Sequence, residues 1–387
     1  MNKQLMTILK KRYGLALIIT SLCIILFYGY NGISDVKRWH EMDAYYDSEE
    51  YIKDLQQLSE DDSPRYSGLS LSERQALNKK EGLSLFYQTT SYDEHGKLIS
   101  VSDQPYFSAY FNENPILLIA VLATAGFLMF FADLKTSFNE FLFSLGVSKR
   151  RIYFSKFALV SLPLLSSVLL AKIAFVGIIT TGIPTEYVNI GLPTLAANVL
   201  ASWTTCILYF SLSAFIGLVT GNMILGPLTV FGFCASLEFF ITGVLNAWYY
   251  FTNATIDSYI TNKFFVYTVS KESISALPIT LALTISVLLF IFGSFLFPKL
   301  TLEKKGNYLL FDKLKVPVVI AMTLYVPMVL VFSSGVYFGE EVSSPIPSLL
   351  IYFILTALIG SYLVFRKEIN EWINLKRQIN RNSSISS

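Results

Sequence analysis

Residues Pro115–Thr181 read PILLIAVLATAGFLMFFADLKTSFNEFLFSLGVSKRRIYFSKFALVSLPLLSSVLLAKIAFVGIITT. Two apolar runs, Pro115–Ala132 and Phe157–Thr181, flank a mixed stretch, Asp133–Lys156. A bilayer-crossing helix needs about 20 mostly apolar residues. The two runs therefore predict two spans, and the stretch between them a short loop on one side of the membrane. Further runs repeat the pattern: Tyr13–Tyr30, Thr194–Thr220, Met223–Leu245, Leu277–Pro298, Pro317–Phe338 and Pro347–Phe365. Eight spans are expected in all. Helices are the natural reading, because a lone strand leaves backbone groups unpaired in lipid.

Composition agrees. Of 387 residues, 53% are hydrophobic and 15% charged, and mean hydropathy is +0.51. A soluble globular domain carries about 25% charged residues, so a soluble two-domain enzyme is disfavoured. The formal net charge of +2 argues against a nucleic-acid partner. Two histidines make a rich metal site improbable, and Cys23, Cys206 and Cys234 all fall in apolar runs, so no disulfide framework is evident.

Prolines mark the spans. Pro115, Pro278, Pro317 and Pro347 stand at or near starts, where the missing N–H costs nothing, while Pro163, Pro227 and Pro327 are expected to kink helices. Gly221-Asn222 reads as a tight turn between spans four and five.

Lys and Arg predict the orientation. Segments 1–12, 133–156, 299–316 and 366–387 hold 4, 5, 5 and 5 of them; segments 182–193, 246–276 and 339–346 hold 0, 2 and 0. By the positive-inside rule both termini are expected in the cytoplasm. Lys3, Lys10, Lys11 and Arg12 before an apolar run imitate a signal peptide, but no small-x-small cleavage site follows in Tyr28-Gly29-Tyr30-Asn31-Gly32. An uncleaved anchor is expected, its basic start on anionic lipid.

Residues 31–114 hold 16 acidic against 8 basic side chains. A helical start is expected around Asp35–Asp61, with Trp39, Met42, Tyr46 and Ile52 packing, then strands Leu83–Thr90 and Lys97–Ser102 about the turn Asp93-Glu94-His95-Gly96. A small α+β extracellular domain between the first and second spans is the expectation. His40-Glu41 lacks the second histidine of a zincin helix. Trp248, Tyr249, Tyr250 and Phe251 read as an interfacial belt, and Phe264, Phe265 and Tyr267 as part of a short outer helix.

Within 133–156, Leu134, Phe138, Phe141, Leu142 and Leu145 recur at helical spacing, with Thr136, Ser137, Asn139, Glu140 and Ser144 opposite. This predicts an amphipathic helix over 134–145. Gly146 stops it, Ser148 caps the next helix, and Lys149, Arg150 and Arg151 fix the cytoplasmic end of span three.

The arrangement resembles the intracellular loop of an ABC exporter permease of type 2. There a Glu, an apolar stretch, a Pro- or Gly-Val-Ser turn, a basic pair and a Lys follow one another. Here these are Glu140, Phe141–Leu145, Gly146-Val147-Ser148, Lys149-Arg150-Arg151 and Lys156. The resemblance covers about three quarters of the chain, including the short turn between spans four and five and the segment 246–276 between spans five and six. It departs from the family in having eight spans instead of six, and in its outer segment.

The resemblance implies a non-catalytic membrane subunit of an exporter in a bacterial cytoplasmic membrane. Phe138, Glu140, Phe141, Leu142, Leu145 and Gly146 would contact a separate ATPase. It implies two ATPase subunits, which would hold ATP and Mg, and a second permease copy or paralogue. The cargo would be hydrophobic or amphipathic: a peptide, a lipid or a toxic compound. No cofactor is expected in this chain. The alternative for 134–145 is an interfacial helix lying on lipid; the basic turn after it favours docking. A second family resemblance, to the mechanotransmitting or peptide-sensing permeases related to FtsX and MacB, rests on Leu145-Gly146-Val147-Ser148 and on an outer segment after span one.

The chain carries no phosphate loop: Gly221–Gly226 is followed by Pro227-Leu228, where Lys and Ser or Thr are required. An intramembrane protease or acyltransferase would need catalytic histidine, paired aspartates or a metal cluster inside the spans, and neither histidine is there. Lys172 and Glu238 do lie inside spans three and five. A charge at the bilayer centre costs about 2.5–3.5 kcal/mol on insertion scales. Each is 15 residues into its span, hence about 22 Å deep, and the two are expected to meet as a pair. The chain thus divides into an amphipathic segment and first span (1–30), an outer segment (31–114), a membrane core (115–298) with its coupling helix, and two added spans with a tail (299–387).

Overall fold

The computed structural model describes residues 3–57, 69–92, 98–107, 115–189, 191–252, 276–304, 306–333 and 344–385. Eight of its helices are long and apolar enough to cross a membrane. They are α1 (Lys3–Tyr46), α4 (Pro115–Lys135), α6 (Lys149–Gly182), α7 (Leu192–Val219), α8 (Leu225–Thr252), α9 (Ala276–Leu296), α10 (Lys315–Phe332) and α11 (Ile346–Ile385). The chain is an α-helical polytopic membrane protein.

Several helices outrun the apolar stretches that predict them. α1 has 44 residues and α6 has 34, about 66 and 51 Å at 1.5 Å per residue, against a hydrocarbon core of about 30 Å. They pack along one another. The boundary expected at residue 30 therefore falls inside a continuous helix, and 31–46 belong to α1. α11 continues past its apolar half and kinks at Phe365 (φ −104°, ψ 16°), directly before Arg366-Lys367. Pro163 and Pro327 lie inside their helices. Pro227 instead sits in the first turn of α8, because that helix starts at Leu225.

Contacts join all the basic segments at one end of the bundle. Arg12 reaches Asp133 and Thr136, Lys135 bonds the Gly221 carbonyl, and Lys149 bonds the Leu300 carbonyl. Lys315 pairs with Glu368. Asn222 caps α8 by accepting from the Ile224 and Leu225 amides, which forms the turn read from Gly221-Asn222. The linker after α9, with short 3-10 turns at Phe297–Lys299, Leu302–Lys304 and Asp312–Leu314, clasps that turn. The Gly221 amide donates to Tyr308 and the Leu310 amide to Val219.

At the other end, α2 (Glu49–Gln57), α3 (Leu71–Leu83) and strands β1 (Phe86–Tyr92) and β2 (Leu98–Phe107) follow α1. The strands pair antiparallel, Phe86 opposite Phe107, with two irregularities. The turn residues Asp93-Glu94-His95-Gly96 lie outside the described residues. This lobe does not stand apart from the helices. Trp39 of α1 is buried and its indole N–H donates to the Leu83 carbonyl at 2.8 Å. Leu85 donates to Tyr187 at 3.0 Å, and His40 Nε2 lies 3.0 Å from the Gly182 carbonyl oxygen. Lys79 bridges Asp47 at 2.7 Å and Asp43 at 2.9 Å; the hydrogen bond to Asp47 raises its pKa above the ordinary lysine range.

α3 starts with a capping box between Ser70 and Glu73. The Ser70 hydrogen bonds hold the exposed Glu73 carboxyl below its usual pKa. Such a group stabilises the fold above its unfolded titration range, and the contribution is lost as pH falls through the lowered value. Amide exchange in the first turn of α3, corrected for intrinsic rates, is expected to quicken on acidification, and to quicken at neutral pH in Ser70→Ala. Equal protection in both conditions and both proteins would show that the box contributes nothing.

Candidate functional site

The elbow between α4 and α6 is built on a buried charge cluster. Asp133, at the end of α4, and Lys156, two turns into α6, are both fully buried, with Nζ and Oδ2 2.5 Å apart. Tyr13 of α1 donates its hydroxyl to the same carboxylate. Arg12 stands 3.6 Å from the other carboxylate oxygen and donates to Thr136 at 2.9 Å. The Lys156 ammonium also lies 4.9 Å from the Phe130 ring centre. Three helices are thus pinned at one carboxylate. The two ends of the stretch Asp133–Lys156 close on each other.

Between them, α5 (Phe138–Ser144) is a two-turn helix. Ser137 enters it at φ +56° and Gly146 leaves it at φ +68°, both left-handed. Such a backbone is uncommon for a serine and easy for a glycine. The expected helix 134–145 is shorter because Leu134 and Lys135 finish α4.

The apolar stripe of α5 faces inward. Leu142 and Asn139 are buried at 0% and 1% exposure. Phe138 is half-buried beneath the Arg12 guanidinium, 5.0 Å from its ring centre. Leu145 and Val147 line a cavity of about 420 Å³ together with the first turns of α1. Of the expected contact residues, Leu142 is taken by the core of this chain, while Phe138 and Leu145 are half-buried. Phe141 remains 47% exposed, with Glu140, Ser144 and Gly146 exposed beside it.

Below the elbow the packing is aromatic. Phe130 stacks on Tyr153 at 5.4 Å and 8°, and the Tyr153 hydroxyl donates to the Phe290 carbonyl at 2.9 Å. Lys149 caps this layer over Phe143, 4.5 Å from the ring centre. Phe143 seats α5 on this layer, its ring 5.8 Å from that of Phe297.

The intramembrane charges sit among different neighbours. Lys172 is fully buried in α6 with its ammonium 4.9 Å from the Tyr28 ring centre, facing α1. Glu238 of α8 lines an apolar cavity of about 670 Å³ with Thr124, Phe127, Tyr209 and Cys234, between α4, α7 and α8. Its Oε2 is shielded from solvent.

Sequence reading missed Arg12, Tyr13 and Asp133 as site residues. The available signal was a pair of opposite charges at the facing ends of two consecutive spans. Among the described residues no group of three or more His, Cys, Asp or Glu side chains is placed to hold a metal. The belt residues Trp248 and Phe251 are exposed at the end of α8, while Phe264, Phe265 and Tyr267 lie outside the described residues.

No protein-family model matches the chain, and neither the curated proteins nor the solved structures yield a match.

Proposed function

We propose that this chain is the membrane subunit of an ATP-binding-cassette exporter, driven through α5 by a separate ATPase that carries ATP and Mg. The observation that carries the reading is the Asp133–Lys156 clamp beneath an exposed Glu140–Phe141 edge. A lever transmits force when its base is rigid and its contact edge is free. The basic segments collected at the same end support a cytoplasmic position for the elbow and both termini, in a bacterial inner membrane. α6 leaves the elbow directly, so displacement of α5 moves the whole third span. Two ATPases and a second permease copy would complete the assembly. The cavity beside Glu238 suits a hydrophobic or amphipathic cargo, and Glu238, which lines it, would act as its polar step.

One observation favours a second reading, mechanotransmission or antimicrobial-peptide sensing. α1 and α6 run as paired rods from the clamp to Trp39 and Gly182. Force entering at the elbow would then leave at the lobe 49–107, which this reading, like the first, places outside the cell.

Co-expression with an ATP-binding-cassette ATPase tests both readings. Glu140→Lys with Phe141→Asp is expected to abolish co-purification while the chain stays monodisperse. Undiminished recovery of the ATPase would remove the docking assignment. Nucleotide-dependent change of a cross-link within the lobe, without cargo movement, would select the second reading.

A further inference from the structure

A second cavity, about 830 Å³, lies between α6, α7 and α9. Its volume is within the range of ligand sites. It is a trough with one charged end. Arg150 and Arg151 stand there with Ser148, at the N-terminus of α6, and no side chain caps that helix start. The first amides of a helix and its dipole favour an anion. Among the described residues no carboxylate pairs with Arg150 or Arg151. Arg150 is steered by two rings, its guanidinium 5.9 Å from Phe154 and 5.3 Å from Phe295. Lys149, by contrast, turns away to the Leu300 carbonyl.

Beyond the arginines the walls are apolar: Phe157, Leu162, Leu283, Val287 and Phe290. Leu162 and Val287 are 64% and 54% exposed, so the trough opens sideways, towards the bilayer. A soluble anion would gain nothing from those walls. A neutral hydrocarbon would leave the two guanidinium groups without a counter-charge. A molecule with an anionic head and an apolar tail satisfies both ends.

We propose that this trough is a binding site for one anionic phospholipid. Its phosphate lies at Arg150, Arg151 and the first amides of α6, and an acyl chain runs along Phe157, Leu162 and Val287. The lipid would then fill the gap between α6 and α9 near the elbow.

Native mass spectrometry of the full-length, delipidated chain tests this. Phosphatidylglycerol and phosphatidylcholine of equal chain length are titrated separately. Phosphatidylglycerol is expected to bind preferentially. Basic residues near a lipid surface contribute about 1 kcal/mol each, so Arg150→Ala with Arg151→Ala should weaken it about 30-fold. Arg150→Lys with Arg151→Lys should keep most of it. Lys367→Ala with Lys376→Ala removes the same charge elsewhere on the chain, in α11, and should leave binding intact.

Val287→Trp fills the trough without altering charge and should also expel the lipid; it decides the matter if the alanine pair misfolds. Equal binding of both lipids, or retention in Val287→Trp, would overturn the proposal. So would competition by inorganic phosphate at matched concentration, which would make the ligand a free anion. A dimer whose formation Val287→Trp abolishes would make the trough a subunit interface instead.

Discussion

Asp133→Ala is expected to destabilise the protein more than any other single replacement at the elbow, by about 3–5 kcal/mol, the usual cost of breaking a buried ion pair from one side. The change strands the fully buried Lys156 ammonium beside a second cation, Arg12, and removes the acceptor for the Tyr13 hydroxyl. Lys156→Met should cost less, because Asp133 then keeps Tyr13 and the partly exposed Arg12. The double change Asp133→Leu with Lys156→Met should recover much of the loss, since a buried pair often exchanges for apolar groups at little cost. Thermal unfolding in one detergent, read by tryptophan fluorescence, gives the order: wild type, double variant, Lys156→Met, Asp133→Ala. If Asp133→Ala melts with the wild type, the clamp does not hold the helices. If the double variant is as weak as Asp133→Ala, the loss is one of shape and not of stranded charge.

That experiment separates stability from the proposed lever. A double variant that folds but no longer responds to ATPase would show that rigidity at the clamp matters for transmission. One that folds and responds would assign Asp133 and Lys156 to holding the fold alone.

The eight spans are readable because burial in lipid imposes a local rule: every crossing needs its own apolar run. The gathering of the basic segments is likewise readable, since one topology places them together. Helix ends are less so. α1 continues from Asn31 to Tyr46 through polar sequence because it packs along α6 and against Leu83, contacts that no window of residues contains. The direction of α5 is hidden for the same reason. Its apolar stripe states that one side is covered, but not whether a partner, lipid or the chain's own Arg12 and Tyr153 layer covers it. The clamp joins the two ends of the stretch Asp133–Lys156. Sequence reading assigned Lys156 to a basic motif and took Asp133 as a loop boundary. Pairing them requires the crossing of α4 and α6, which charge patterning alone does not give. The clasp of residues 297–314 on Gly221 rests on backbone bonds and has no side-chain signature.

The second large effect is expected between α4 and α7, whose backbones meet closely at two glycines. A Cβ on Gly217 would stand 2.3 Å from the Phe127 carbonyl oxygen, and one on Gly126 would stand 2.5 Å from that of Phe210. Both obstacles are backbone, so no rotamer change relieves them. In lipid, helices associate largely through close packing, and small residues permit that approach. Gly217→Ala should therefore push α4 away and cost about 1–3 kcal/mol, the usual range for overpacking. Gly217→Leu should fail to yield a monodisperse protein. Gly177, in α6, supplies the contrast: nothing lies within 4 Å of a Cβ there. Alanine is the better helix former by about 1 kcal/mol, so Gly177→Ala should be neutral or slightly stabilising. The same chemical change thus carries opposite signs at two sites, and melting temperatures of the two variants test it directly. α4 carries the clamp residue Asp133 six residues beyond Phe127. Displacing it should also loosen α5, seen as faster amide exchange at Glu140–Ser144 in Gly217→Ala but not in Gly177→Ala. Equal shifts in both variants would mean that the glycine contacts do not set the α4–α7 distance, and the elbow would need another anchor.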